Sequence, residues 1–322
     1  MTSRERFHRT LAGLPVDRPP LWEEGIREDV RETWSDELHP DAPLPVEFCI
    51  DHREVVQPDI RNARFRIVEP NDDDPPANAL SRYPDDWDSI VPRMEDRDFP
   101  VGLWMSRGLL LTLGVGEWAS LVPVLTALAD EPDRCRSLMT EAARFSIAVL
   151  ERAFNEIDPD FVLLSEPIAS PAGPVVGPWT FRDACAESYD LLVEYARERG
   201  VQWIVFMSYG DTCPLLPDVL KLGCNVVWCG ETGNSLQHCI DIRRELGADF
   251  GLIGGIDTQL LTQNQEEIVK QVKHVVPELL AYGRHLPLLD GRVRNDVDFP
   301  AYQAYRLALA DAVSPGGSGI DR

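Results

Sequence analysis

Short apolar runs and longer segments of helical period alternate along the second half of the chain. FVLLS (161–165), WIVFM (203–207), NVVWC (225–229), FGLIGGID (250–257) and HLPLLD (285–290) have the length and apolar continuity of strands buried on both faces. Helical spacing fills the gaps between them. TFRDACAESYDLLVEYARERG repeats apolar side chains at Ala184, Tyr189, Leu191, Leu192 and Tyr195, with Thr180 to cap it and Gly200 to end it. PLLPDVLKLG, SLQHCIDIRRELG and QEEIVKQVKHVVPELLAYG stop in turn at Gly223, Gly247 and Gly283, and a last helix is expected over 299–311. This rhythm predicts parallel βα units with right-handed crossovers.

The first half has a weaker pattern. Residues 3–13 predict a helix capped by Thr2 or Ser3, RPPLW (18–22) a first strand, and 26–36 a helix. EVVQPDI and ARFRIVEP suggest a hairpin, NDDDPPANALSRYPDDW an acidic proline-rich loop, and PVGLWM (100–105) another strand. Helices follow over 116–128 and 132–157, the second opened by Asp130 with Pro132 in its first turn. Seven parallel strands, with room for an eighth, predict an α/β fold of the (β/α)8 TIM-barrel type. The expected organisation is one domain over 1–312 with N-terminal additions, and a disordered tail, 313–322. A doubly wound sheet would carry a glycine-rich phosphate loop after its first strand; WEEGIRED stands there, acidic and with one glycine.

Hydrophobic residues make up 44% of the 322, enough for a full-sized core. Charge narrows the partners: 31 Lys+Arg against 54 Asp+Glu leave −23, a field that repels nucleic acid and anionic membranes. A locally basic pocket can still hold a small anion. The 7 cysteines are odd in number and scattered, which is no disulfide framework. MTSRERFHRTLAGLPVDRPP has no apolar run of signal-peptide length, and no segment approaches the ~18 apolar residues of a membrane span. A cytoplasmic location is expected.

In such a barrel the reactive groups come from the carboxyl ends of the strands. Those ends deliver Trp22-Glu23-Glu24, Ser165-Glu166, Met207 through Asp211, Cys229-Gly230-Glu231, Asp257 and Asp290. Glu24, Glu166, Asp211, Glu231, Asp257 and Asp290 would therefore share one mouth. Confined like charges raise one another's pKa, so the cluster should bind a cation, share protons or face basic substrate groups. Each also has a scaffold role open to it. Asp211 and Asp257 precede helix starts and suit capping; Glu231 stands before the helix at Asn234–Ser235, and Asp290 lies in a turn with Gly291. Arg107, after Met105-Ser106, is either a binder of a substrate carboxylate or an ordinary surface arginine. Cys224-x4-Cys229 and His238-Cys239 match no zinc spacing, and His274 and His285 suit structural roles.

TSRERFHRTLAGLPVDRPPLWEEG resembles the amino terminus of the uroporphyrinogen decarboxylase superfamily, where a helix enters the first strand. LLSEPIASPAGPVVGPWTFRD, GDTCPLLPDVLKLGCNVVWCGE, FGLIGGIDTQLL and LPLLDGRVRNDVDFPAYQAYRLAL resemble that superfamily's successive segments, in order, over nearly the whole chain. The resemblance implies a TIM barrel and either of two chemistries. Porphyrinogen decarboxylation uses an Arg-Gln-Ala-Gly-Arg run after the first strand; Glu23-Glu24-Gly25-Ile26-Arg27 stands here and would repel a polyanion. Methyl transfer to or from corrinoid proteins and thiols uses zinc held by His-x-Cys, a Glu and a late Cys. Here those places hold Met207-Ser208-Tyr209, Glu231 and, at or near the last, Asp290, and Pro167 replaces the Asp that follows Glu166.

The leading expectation is a methyltransferase-like enzyme for a small methylated substrate, with a corrinoid protein as partner. Glu166, Tyr209, Asp211 and Glu231 are its candidate catalytic residues; Trp22, Glu24, Arg107, Met207, Asp257 and Asp290 are its candidate substrate contacts. The cofactor is left open; for a divalent metal such as zinc, the available ligands are Glu231 and Asp290. Two alternatives stand beside it: a carboxy-lyase that holds its substrate by Arg27, Arg107 or Arg292, and a non-catalytic ligand-binding barrel. The resemblance also raises a homodimer as the assembly to test.

Overall fold

The computed structural model describes residues 1–35, 37–39, 42–68, 82–233 and 235–314. Most of the acidic proline-rich loop, the end of ARFRIVEP and the tail from 315 lie outside the described residues. The chain divides into two compact units, Met1–Arg53 with Trp228–Arg322, and Glu54–Val227.

The unit Glu54–Val227 holds β1 (Glu54–Val56), β2 (Val101–Ser106), β3 (Phe161–Ser165), β4 (Ala169–Ser170), β5 (Gly173–Pro174) and β6 (Trp203–Tyr209). β1, β2, β3 and β6 run parallel in that order, with Val56 beside Leu103, Leu103 beside Val162 and Val162 beside Ile204. The long helices Pro132–Ile157 and Pro178–Glu198 cover this ladder, so FVLLS is buried at every position. β4 and β5 form a small antiparallel hairpin inside the PIASPAGPVVGP loop. It lies over the end of β6: Asp211 N donates to Ser170 O at 2.9 Å. A Cβ on Gly210, whose φ is +80°, would stand 2.6 Å from the Ser170 backbone, so only glycine lets the hairpin settle there.

β7 (Val226–Gly230) carries the chain from one unit into the other. In Met1–Arg53 with Trp228–Arg322, β8 (Gly251–Ile256) and β9 (His285–Leu289) pair in parallel, and the helices Ser235–Leu246, Gln265–Ala281 and Phe299–Ala312 follow their strands. Asn264 and Asp298 cap the second and third of these helices through the Glu267 and Ala301 N–H groups. The first helix, Ser3–Leu11, has a full capping box between Thr2 and Glu5. His285 is buried and its Nε2 lies 3.0 Å from Gly254 O; burial pushes it down to about 3, so the ring is neutral and structural.

Several expected elements of the first half differ. RPPLW forms no strand: Pro19 and Pro20 remove two ladder donors, and Leu21 N donates to the Asp51 carboxylate at 2.8 Å instead. The adjacent helix shortens to Glu28–Thr33. EVVQPDI and ARFRIVEP do not form a hairpin. Glu54–Val56 joins β2 in parallel, Pro58 follows the strand, and Ala63–Phe65 is a 3-10 turn. PLLPDVLKLG divides into a 3-10 turn at Cys213–Leu215 and a helix at Leu216–Lys221. Trp87–Met94 and Gly108–Leu113 are helices without a sequence expectation.

Candidate active site

In the unit Glu54–Val227 the ends of β2, β3 and β6 are tied together through Glu166. Its carboxyl group is fully buried; Oε1 accepts the Leu109 N–H at 2.7 Å and Oε2 the Tyr189 hydroxyl at 3.1 Å. Its backbone carbonyl accepts the Ser208 hydroxyl at 2.6 Å, and its N–H donates to Met207 O at 2.7 Å. Burial pushes Glu166 up to about 7, against the two hydrogen bonds that favour its charged form. Glu166 thus positions the loop that carries Arg107. Met207 and Ser208 are buried, Tyr209 is half-buried, and Asp211 accepts the Cys213 N–H at 3.0 Å as the side-chain turn before the 3-10 segment.

The sign of the Glu166 shift gives a testable pH effect. Its folded pKa lies above the unfolded value of 4.5, so its contribution to stability is full below about 4.5 and is lost as pH rises through about 7. The swing is on the order of 3 kcal/mol. Glu166→Gln keeps an oxygen for Leu109 and a polar partner for Tyr189 but cannot ionise. Urea denaturation at several pH values from 4.5 to 8 should show the variant gaining on the parent as pH rises; parallel curves would contradict the assignment.

Arg107 precedes the helix Gly108–Leu113 and lines two adjoining cavities in the loops after β1 and β2, together with Ile60 and Arg61. Arg66 lines the inner one. Arg61 and Arg66 escaped the sequence reading because the expected hairpin put Arg61 in its turn and Arg66 in its second strand, with no shared face. The signal was the run Arg61-Asn62-Ala63-Arg64-Phe65-Arg66, three arginines in six residues of an acidic chain.

The other unit collects a second set. Glu23 Oε2 accepts the Tyr302 hydroxyl at 2.5 Å, with the buried Arg306 Nη1 at 3.6 Å. Glu24 Oε2 lies 3.7 Å from Arg53 Nη2, and the Arg53 guanidinium sits 4.9 Å from the ring centroids of both Trp22 and Trp228. Trp22 is 1% exposed and stacks on Phe7 at 5.2 Å, which places it in the core. Asp290 is buried: Thr258 N donates to Oδ1 at 2.8 Å, Thr258 Oγ1 to the same oxygen at 2.6 Å, and Ser235 Oγ to Oδ2. Asp257 caps Thr258–Thr262 by accepting the Gln259 N–H at 2.8 Å, and its pKa is raised by burial and by neighbouring Asp290. Glu231 has a left-handed backbone, φ 45°, and its half-exposed carboxylate pairs with Arg294. Glu231 N donates to Asp290 O at 2.9 Å, so Glu231, Asp257 and Asp290 come together at one end of the β8–β9 pair. Arg53, Arg294, Ser235 and Thr258 had no sequence signal.

The donors at the places where the resemblance implies zinc do not suit it. Met207 offers a thioether, the Ser208 hydroxyl is committed to Glu166 O, and Tyr209 offers a phenol, in place of an imidazole and a thiolate. Asp290 has both oxygens occupied.

Parallel strands with crossover helices and strand ends rich in carboxyl and guanidinium groups define a protein of the α/β barrel class expected from the sequence. The profile of the uroporphyrinogen decarboxylase (URO-D) family matches residues 120–285, just over half of the 322, and the chain belongs to that family. Among solved structures it is similar to a methyltransferase from Methanosarcina mazei, 15% identical over 97% of this chain and 99% of that one, with a TM-score of 0.65. It also aligns with wild-type ZgEngAGH5_4, 13% identical over 96% and 98% of the two chains, with a TM-score of 0.42. No curated protein matches it. Among the described residues no helix is long and apolar enough to cross a membrane.

Proposed function

We propose that this chain transfers a methyl group from a small methylated substrate to a corrinoid carried by a partner protein. The observation that carries the reading is the acidic segment after RPPLW. Glu23 and Glu24 are held there by Tyr302, Arg306 and Arg53. A porphyrinogen would meet acids paired within the chain where its carboxylates need arginines, so the chemistry that gives the family its name is disfavoured. Support also comes from the Methanosarcina protein of the same fold, which is named a methyltransferase.

The corrinoid supplies the electron pair that accepts the methyl group. The substrate's leaving atom keeps the electrons of the broken bond and takes up a proton. Tyr209, half-buried after the buried run of β6, is the donor we assign to that proton. Glu231, held by Arg294, is assigned to catalysis and Asp290, held by Ser235 and Thr258, to substrate contact. Each of Glu231→Ala and Asp290→Ala should lower turnover by about tenfold or more. Full activity in both variants would end the reading.

One observation favours a second reading. The arginine-lined cavity beside β1 and β2 suits a carboxylated substrate, as decarboxylation would require. Release of carbon dioxide with no methyl acceptor present would select that reaction.

A further inference from the structure

We propose that the cavity at the end of β8 is a socket for a small alkylammonium ion, and that the methylated substrate is an N-methylated amine bound there in its charged form, with its nitrogen on the Asp257 carboxylate. The cavity lies between the segment after β8 and the helices Ser235–Leu246 and Gln265–Ala281, all within one unit. Among the described residues no lysine, arginine or histidine lines it. A net charge of −23 draws small cations toward the chain, so the outer field and the socket act in the same sense.

Asp257 supplies the charge that the ligand meets. Its Oδ1 accepts the Gln259 N–H at 2.8 Å, and among the described residues no cationic side chain pairs with the carboxylate. Burial and the neighbouring Asp290 both disfavour its charged form, and a bound cation would offset both. Glu267 lines the same cavity but is already engaged. Lys270 Nζ lies 3.1 Å from its Oε2, and Gln271 Nε2 donates to its Oε1 at 2.6 Å. One carboxylate is left to answer, which suits a monocation.

Size and lining favour an organic cation over a metal ion. The cavity measures about 400 Å³, and at ~30 Å³ for each water it has room for roughly a dozen water-sized groups. Leu236, Ile256, Leu260 and Val275 give it an apolar wall for alkyl and methyl carbons. The amides of Gln259 and Gln263 add carbonyl acceptors for the N–H groups of an ammonium. One carboxylate with neutral amides falls short of the charged oxygen cage that a divalent ion takes. Transfer from such a substrate breaks its C–N bond. The methyl carbon leaves without the bonding pair and takes up the acceptor's electron pair; the nitrogen keeps the bonding pair as a neutral amine, which then takes up a proton. Naming the bound ion as the substrate rests on the methyl-transfer reading; the socket itself does not.

The test is calorimetric binding of N-methylpropylammonium at neutral pH, with uncharged methyl propyl ether as its isostere and magnesium as an inorganic competitor at constant ionic strength. The ammonium should bind at least roughly tenfold more tightly than the ether. Asp257→Asn should remove most of that preference and Asp257→Glu should restore part of it. Asparagine still caps the Gln259 N–H, so the melting temperature of Asp257→Asn should stay close to the parent's. Ammonium binding no tighter than the ether's, a preference unchanged in Asp257→Asn, or displacement by magnesium would each overturn the socket. Asp257-dependent binding with no methyl transfer would keep the socket and discard the reaction. Methyl transfer from N-methylpropylammonium that is unchanged in Asp257→Asn would do the reverse.

Discussion

Asp51→Ala is expected to lower stability by about 3–5 kcal/mol, because it strips the counter-charge from guanidinium groups fixed at a buried point. The Asp51 carboxylate accepts from Arg18, from Arg6 Nη1 at 2.9 Å, from Ser3 Oγ at 3.0 Å and from Leu21 N at 2.8 Å. Those four partners come from the first helix and from the RPPLW segment, so one side chain holds the chain that presents Trp22, Glu23 and Glu24. Burial alone would raise its pKa, but the bonds from Arg18 and Leu21 outweigh that and leave it lowered. A lowered carboxylate stabilises above its unfolded pKa of 3.8 and loses that contribution as pH falls below it. Denaturation of Asp51→Ala should therefore show a deficit at pH 7 that narrows toward pH 3. Asp17, an exposed partner of Arg6, provides the comparison: its removal should cost no more than about 1 kcal/mol. A deficit for Asp51→Ala no larger than the one for Asp17→Ala would show that this junction does not organise the segment.

The second large effect is expected at Gly108. Its φ is +80°, and a Cβ would stand 2.5 Å from Ser165 O and 2.6 Å from Glu166 Oε1. Alanine would bring backbone strain of about 1–2 kcal/mol and push against a buried carboxyl group that has no room to retreat. The loop would have to move, and Arg107 with it. Turnover should fall by roughly a hundredfold, since small displacements of anchoring groups are costly to rate. Gly108→Ala protein with parental melting temperature and parental turnover would mean that the Glu166–Leu109 link does not position the β2 loop.

Legibility from sequence followed the physics of each element. β3, β6, β7, β8 and β9 stood out because their runs are continuously apolar and end at turn residues, and the helices between them end one or two residues before Gly200, Gly223, Gly247 and Gly283. β1 was missed as a parallel strand because it is three residues long, too short for any period to register. The proline pair in RPPLW hid in an apolar segment that is buried yet unpaired as a strand. The strand-end acids could be named from the sequence, but their partners were beyond reach. Glu23 meets Tyr302 across 279 positions of sequence, Asp290 meets Ser235 across 55, and no periodicity links such pairs. Glu166 was named as a catalytic candidate for its motif. Its buried carboxyl holds the Leu109 N–H and the Tyr189 hydroxyl.

The most direct measurement mixes purified protein with a panel of small O- and N-methylated compounds bearing deuterated methyl groups and with reduced cobalamin as the acceptor, then follows the label by mass spectrometry. The account predicts label on the acceptor, dependent on Tyr209, with the demethylated, protonated compound as the other product. Label retained in every methylated compound while the acceptor stays unmethylated would contradict it.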